Sequence, residues 1–338
     1  ENIHYLSFQP NQDVDGNGLE DDIAYPSTVS NAEQTIRYDI GGPDKLFLYL
    51  VDHGSDLQGQ GAFRMNAEDD SHLFASELDA WLDELQDNYN TEVTVILEFC
   101  YSGSFVDELT YTGSAPRIVV ASASADELTW FHVLSQASFS DFFLNAILQG
   151  LTVGQAFRLA ASAMSPWQQA IMDDTKDGLF LPEEDGLLAG QVHIGPSFVV
   201  GRDFPQIGSV SPPRVLETGT TARIWVDDIT SVYPIDKVRA VIRPPGYQPD
   251  PASGIPIIDL PEIELAYNSA RDRYEAVFNG FSQAGVYKIS FFAVDIWGGV
   301  SFPKQTAVNQ TGFDERVILV AGGPTDRSSW SNINVVAN

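Results

Sequence analysis

Two residues have types that could do covalent chemistry together. Cys100 is the only cysteine in 338 residues, and it follows the apolar run VTVIL within EFCYSG. His53 follows a second apolar run, KLFLYLV, within VDHGSD. A lone thiol makes no internal disulfide, so it is either a small buried hydrophobe or a reactive group. A histidine after a strand is equally at home as a structural hydrogen-bonding group. The pair is less ordinary, because each member ends an apolar run and precedes a turn of small residues. If the two runs are neighbouring parallel strands, their carboxyl ends share one edge, where α/β sheets bind ligands. A thiolate beside a base that later protonates a leaving amine is the machinery of amide hydrolysis. Such chemistry also needs backbone N–H donors for an oxyanion. Gly54 leaves its N–H accessible, the N–H of Cys100 is the second candidate, and Gly103 lets the chain turn away from the thiol.

The elements that must position this pair follow from periodicity. Ile3–Phe8 reads as a strand and Ala32–Ile40 as a short helix. Lys45–Val51, Val93–Phe99 and Arg117–Ser122 read as strands covered on both faces. Ser71–Leu85 reads as a helix capped by Ser71 or Ser76, with Phe74, Leu78, Trp81, Leu82 and Leu85 on one stripe. Phe139–Met164 reads as helical, interrupted at Gly150 and Gly154. Strand–helix alternation predicts an α/β domain over 1–203, a three-layer α/β/α sandwich with a mainly parallel sheet. FPQIGSVSPP then reads as a Pro-rich hinge. The alternating runs ARIWVDD, KVRAVIRPP, RYEAVFNGF and GVYKISFFAVD predict an all-β, immunoglobulin-like sandwich over 204–312. RVILVAGG, within 313–338, reads as a strand ending in a Gly-Gly turn, the opening of another α/β unit.

Bulk composition excludes several classes. The net charge is −29, from 47 acidic and 18 basic residues. A nucleic-acid binder needs a basic footprint, which is missing, and an anionic membrane surface would repel the chain. No apolar stretch reaches the ~20 residues that span a bilayer. With 43% hydrophobic residues there is material for sizeable cores. The chain opens on ENIHYLSF, which is neither an initiator Met nor a signal peptide, and so reads as a processed or excised piece.

DHG after one apolar strand and E-x-C-x-S-G-S after the next resemble the legumain family of cysteine endopeptidases, whose clan also holds caspases, gingipains and clostripain. RIVVASASADE resembles that family's next strand, which borders the primary specificity pocket. The resemblance covers about residues 1–200 and implies a caspase-like fold. It implies Cys100 as nucleophile, His53 as general base and acid, and Gly54 with Cys100 as oxyanion donors. Glu98 matches a family acid two positions before the nucleophile; it either lines the specificity pocket or joins a local ion pair. Ser122 and Ser124 lie on the strand that would bind substrate backbone. Asp126 and Glu127 are candidate acids for a basic P1 side chain, or simply exposed loop acids. Tyr101 stands where animal legumains carry a charged residue, so Asn or Asp specificity does not carry over. The family's opening strand and helix are missing before ENIHYLSF, and 316–338 resembles that unit. This implies a tandem array sampled out of phase, a permutation or a processing boundary. In an array, 316–338 would complete a neighbour's sheet by head-to-tail self-association.

NQDVDGNGLEDD places Asn11, Asp13 and Asp15 at positions 1, 3 and 5 of a calcium loop, Gly16 at its turn, Asn17 at 7 and Asp22 at 12. An ordinary solvated acidic turn would look similar. DDTKDG (173–178) and PEED (182–185) read as solvated acidic loops, and His4, His72, His132 and His193 as structural. The expectation is an extracellular or cell-surface cysteine endopeptidase acting on peptides or proteins. It would need no catalytic cofactor, and a structural Ca2+ would sit in the acidic loop. The rivals are a structural, filament-forming surface protein on a protease-like fold and a calcium-dependent binding module.

Overall fold

The computed structural model describes residues 3–57, 59–66, 71–131, 138–165, 167–195, 204–247 and 260–312. The expected strand-turn-helix unit over 313–338 lies outside these residues, as does His132.

The first domain is built around one short sheet. Tyr5–Ser7 (β1) and Ile23–Pro26 (β2) pair in parallel on their own. Thr28 caps Val29–Gln34 (α1) by accepting the Asn31 N–H at 3.1 Å, and the helix widens into a π-turn over Thr35–Asp39. Lys45–Val51 (β3) follows, then a three-stranded antiparallel flap of Gly54–Leu57 (β4), Gln60–Asn66 (β5) and Ser71–Phe74 (β6). The helix expected from Ser71 therefore starts later, at Ala75–Tyr89 (α2), because Ser71–Phe74 pair with β5. Neither predicted serine caps α2. Glu77 does so instead, accepting the Phe74 N–H at 3.0 Å. Glu92–Glu98 (β7) and Arg117–Ala121 (β8) continue the sheet. Phe139–Leu148 (α3) and Val153–Met164 (α4) are separated at Gly150, whose φ of +79° ends the first helix. Gly154 lies inside α4, where the backbone of 189–190 approaches too closely for a side chain. Ile171–Asp173 (β9), not anticipated, closes the sheet in the order β3-β7-β8-β9, antiparallel only at β9.

Alternation across the sheet makes the three layers. Val93, Val95 and Leu97 of β7 face α2, whose stripe Leu78, Trp81, Leu82 joins the same core. Ile96 of β7, with Ile118 and Val120 of β8, faces α3 and α4. The start of β8 is anchored by a charge. The Arg117 side chain has no exposed surface; it donates to Asp79 at 2.8 Å, Asp83 at 2.7 Å and Gln86 at 2.7 Å on α2. It also lies 4.9 Å over the Tyr111 ring. Burial, then the neighbouring Asp83, lift Asp79 to about 6, with Arg117 pulling it down.

The second domain contains Gln206–Val210 (β10), Arg214–Leu216 (β11), Ala222–Thr230 (β12), Ile235–Arg243 (β13), Glu262–Asn268 (β14), Arg273–Phe278 (β15), Gly285–Asp295 (β16) and Lys304–Gln310 (β17). The Pro-rich hinge is thus partly strand. The expected two-sheet immunoglobulin-like sandwich is not confirmed. All eight strands form one curled sheet in the order β10-β12-β15-β14-β13-β16-β17-β11. β14 makes the turn: its first half pairs with β13 and its second half with β15. The curl encloses one core that includes Ile224, Val226, Val238, Ala240, Ile289 and Phe291. The two domains meet through α3, where Phe302 stacks on Phe142 at 5.7 Å. Arg243 also lies 4.9 Å over the Trp167 ring.

Arg117→Ala leaves two partly buried carboxylates without their cation. It should lower unfolding free energy by about 3 kcal/mol, seen as a lower urea midpoint with unchanged slope. An unshifted midpoint would show that the cluster does not hold β8 to α2.

Candidate active site

The register of β3 against β7 is constant. Lys45 pairs with Glu92, Tyr49 with Ile96 and Val51 with Glu98, an offset of 47 throughout. Two residues past each strand end, the same offset sets His53 beside Cys100. The two strand ends touch through the residue after the histidine: a Cβ added at Gly54 would meet the Cys100 carbonyl oxygen and the Phe99 ring, so only glycine allows this approach. The His53 backbone is held from both sides. Its carbonyl accepts the Arg64 N–H at 2.9 Å, and its N–H donates to Asp52 Oδ1 at 2.6 Å. Arg64 in turn pairs with Asp52 at 3.6 Å.

Cys100 is 6% exposed, with Sγ 4.0 Å from the Thr129 carbonyl. The next residue, Tyr101, has a left-handed φ of 64°, which turns the chain sharply after the thiol. Gly103 is needed for packing: a Cβ there would lie 2.6 Å from Ala125 N. Behind the turn lies a buried polar network absent from the sequence reading. Ser122 Oγ meets Thr129 Oγ1 at 2.7 Å, and Thr129 Oγ1 donates to the Phe99 carbonyl at 2.8 Å. Ser102 Oγ accepts the Ala123 N–H at 3.2 Å. Gln168 donates to the Ser122 carbonyl at 2.7 Å and accepts the Trp130 N–H at 2.7 Å.

Burial raises the Cys100 thiol above its usual range, while backbone hydrogen bonds at Thr129, Cys100 itself and Gly54 work the other way. Burial lowers His53; Arg64 adds to this and Asp52 opposes it. Both shifts favour the neutral thiol and the neutral imidazole over a preformed ion pair.

The remaining predicted residues separate. Ser122 is fully buried and engaged in the network, so it does not face a substrate groove as expected. Ser124 Oγ donates to Asp126 at 3.0 Å. Glu127 holds the loop by accepting the Gln169 N–H at 2.9 Å, and Asp126 is exposed. Glu98 makes no ion pair among the described residues. Its carboxylate accepts the Ser140 N–H at 3.0 Å, at the start of α3, and the Tyr49 hydroxyl at 3.2 Å. Burial raises its pKa, and the Ser140 hydrogen bonds oppose this.

Glu98 lines a cavity of about 650 Å3 shared by both domains. Tyr49, Val51 and Asp141 line it from the first domain, Phe204 and Val300 from the second. Val51 and Glu98 of its lining sit two residues before His53 and Cys100 along the chain. Tyr49 and Asp141 were missed by sequence reasoning. The offset of 47 was the available signal, since it sets the polar Tyr49 against Ile96, two residues before Glu98.

The acidic loop is organised from Asp13. Asp13 accepts the N–H groups of Gly16, Asn17 and Gly18 at 2.8, 3.0 and 2.8 Å. Asp22 accepts those of Val14 and Asp15 at 2.6 and 3.0 Å. Carboxylate oxygens of Asp13, Asp15 and Asp22 lie within 4.8 Å of one another. Asn17 uses its side chain, accepting the Leu19 N–H at 2.8 Å. Such a set of hard oxygen donors suits a divalent cation. The 173–178 loop is not simply solvated: Asp173 and Asp174 are buried and bound to backbone N–H groups.

A lone cysteine follows one parallel strand end, and a histidine follows the neighbouring one, in an α/β domain. Residues 31–172 match the model of the Peptidase C13 family. That match supports a legumain-like cysteine peptidase with a caspase-like α/β fold. No curated protein matches the chain. Among solved structures, a family 76 glycoside hydrolase from a bovine Bacteroides thetaiotaomicron strain is 13% identical over 31% of this chain and 20% of its own, with TM-score 0.23. Fibronectin(III)-like modules of Clostridium thermocellum CbhA are 15% identical over 32% of this chain and 98% of their own, at 0.21. The D00-D0 domain of intimin is 16% identical over 35% and 52%, at 0.18. Among the described residues no helix is long and apolar enough to cross a membrane.

A neutral resting pair predicts slow alkylation. Modification of Cys100 by iodoacetamide should run at least tenfold slower in the native than in the urea-unfolded chain. The native rate should climb with pH beyond the ordinary thiol range near 8.5. A rate already flat between pH 5 and 7 would mean a thiolate–imidazolium pair instead.

Proposed function

We propose that the chain is a cysteine endopeptidase in which Cys100 is the nucleophile and His53 the base and acid. The observation that carries this reading is the unbroken β3–β7 register ending in the Gly54–Cys100 contact. His53 takes the thiol proton as Sγ attacks the scissile carbonyl. The N–H groups of Gly54 and Cys100 receive the oxyanion, and His53 returns the proton to the leaving amine. Water activated by the same imidazole then cleaves the thioester. No metal is required for these steps.

The cavity beside Glu98 is the P1 pocket in this reading. Its described lining holds two carboxylates, Glu98 and Asp141, and no cation. That favours a basic P1 side chain, with Glu98 and Asp141 taking the part expected of Asp126 and Glu127. A structural Ca2+ in the Asp13, Asp15, Asp22 loop would brace the segment leading into α1. Such open loops bind calcium at extracellular concentrations, so we place the protein outside the cell or at its surface. A second reading, an array-forming surface protein, is favoured by the outer edge of β3, which among the described residues pairs only with β7.

Cleavage of a P1-diverse fluorogenic peptide library tests the enzyme. Turnover should prefer Arg or Lys at P1 and vanish in Cys100→Ala. Glu98→Gln, checked for retained helix content because Glu98 caps α3, should lower kcat/KM for basic P1 by roughly tenfold, about 1.4 kcal/mol. Turnover surviving in Cys100→Ala would refute the mechanism, and an Asn preference would refute the pocket. Calcium should raise the melting temperature of the wild type and not of Asp13→Asn; equal shifts in both would remove the metal site.

A further inference from the structure

The cysteine turn leans on a short segment that also touches the second domain. α4 ends at Met164 and β9 begins at Ile171. Between them, Trp167 and Gln168 both donate their backbone N–H to the Met164 carbonyl, at 2.9 and 3.1 Å, so one turn carries both side chains. Gln168 is buried and bridges the Ser122 carbonyl and the Trp130 N–H, each at 2.7 Å. The next residue, Gln169, donates its N–H to Glu127 Oε2 at 2.9 Å. The Glu127 carbonyl in turn accepts the Tyr101 N–H at 2.7 Å. Residues 168 and 169 thus grip the stretch 127–130 at both ends. That stretch supplies the Thr129 carbonyl 4.0 Å from Cys100 Sγ and the Thr129 hydroxyl that donates to the Phe99 carbonyl.

The second domain reaches this turn through Arg243, whose guanidinium lies 4.9 Å over the Trp167 ring. Arg243 is the last residue of β13, which pairs with β14 on one side and β16 on the other. The cation is therefore delivered by an inner strand of the curled sheet and not by a loose loop. Two residues earlier on β13, Val241 is buried in the same core as α3 and α4, together with Phe292 of β16. The guanidinium also donates to the Tyr247 carbonyl at 3.4 Å, and partial burial lowers its pKa. A cation that has lost part of its hydration is held more firmly by an indole face than an exposed one.

We infer that Arg243 is a positioning residue for Cys100: its stack on Trp167 fixes the 167–169 turn, and that turn fixes the stretch against which the thiol is set. The second domain is then a working part of the peptidase and not an appended spacer. The consequence for turnover rests on the peptidase reading; the consequence for the thiol does not.

A path of contacts is a route, and coupling along it is what has to be measured. Iodoacetamide labelling of Cys100, the only cysteine, reads the thiol without any need for turnover. Arg243→Met keeps the bulk of the stem and removes the cation. It should speed native labelling by about threefold or more, and lower kcat with KM nearly unchanged. Arg243→Lys, which restores a cation, should recover most of both. Trp167→Leu removes the stack from the other side; it should reproduce the effect, and it carries the test should Arg243→Met not fold. The double variant should be no worse than either single. Phe302→Leu loosens the junction at its Phe142 contact and should leave the labelling rate unchanged. Unchanged labelling in folded Arg243→Met or Trp167→Leu would overturn the inference. So would a double variant whose effect is the product of the singles, or equal acceleration in Phe302→Leu. A wild type that labels as expected but cleaves no peptide would sink the peptidase reading, and the labelling series would still decide the positioning of the thiol.

Discussion

The parallel pairing of β3 with β7 is the constraint on which the site depends. Parallel strands align both ends, so one constant offset decides what emerges at the carboxyl edge. Here the offset of 47 brings out His53 beside Cys100 and sets Tyr49 against Ile96, two residues before Glu98. A slip of one residue would turn Glu98 into the α2 layer and separate the pair. The pairing is enforced from the α2 side by Leu48 and Leu50 of β3 with Val95 and Leu97 of β7 in one core. At the far end, the Lys45–Glu92 pair helps keep the strands in step.

The cysteine turn depends on a different kind of force. Tyr101 holds a left-handed backbone and Gly54 presses on the Cys100 carbonyl. Such a turn persists only if its surroundings over-determine it. The Ser102, Ser122, Thr129 and Gln168 network does so with fully buried hydroxyl and amide groups. Buried polar groups of this sort are costly when broken and therefore specific when complete. The same burial that fixes the thiol also raises its pKa. In the proposed mechanism, activation falls to the approach of substrate and to His53 as proton acceptor.

Much of the peptidase-like domain was legible because periodicity and strand order are local. KLFLYLV, VTVILE and RIVVA became β3, β7 and β8 with nearly the bounds read, but only β7 and β8 are covered on both faces; β3, at the outer edge of the described sheet, leaves Phe47 and Val51 exposed. The α2 start was not, since Ser71–Phe74 fit either a helix stripe or a strand, and pairing with β5 decided it. The second domain's strands were legible, but its sheet closure was not, because β14 changes partners halfway along and no local signal marks that. In the site, His53, Gly54 and Cys100 stood out by type and position. Ser122 did not announce its burial, because a serine ending a strand reads alike on either face. Asp141 lies far along the chain, and only the packing of α3 brings it to Glu98.

The central claim is that folding alone makes Cys100 a His53-dependent nucleophile. The direct measurement is intact-mass analysis after exposure to a peptidyl acyloxymethyl ketone with arginine at P1. The account predicts one adduct, mapped to Cys100, in the folded wild type and none in folded His53→Ala. No adduct on the folded wild type, or an equal adduct without His53, would contradict it.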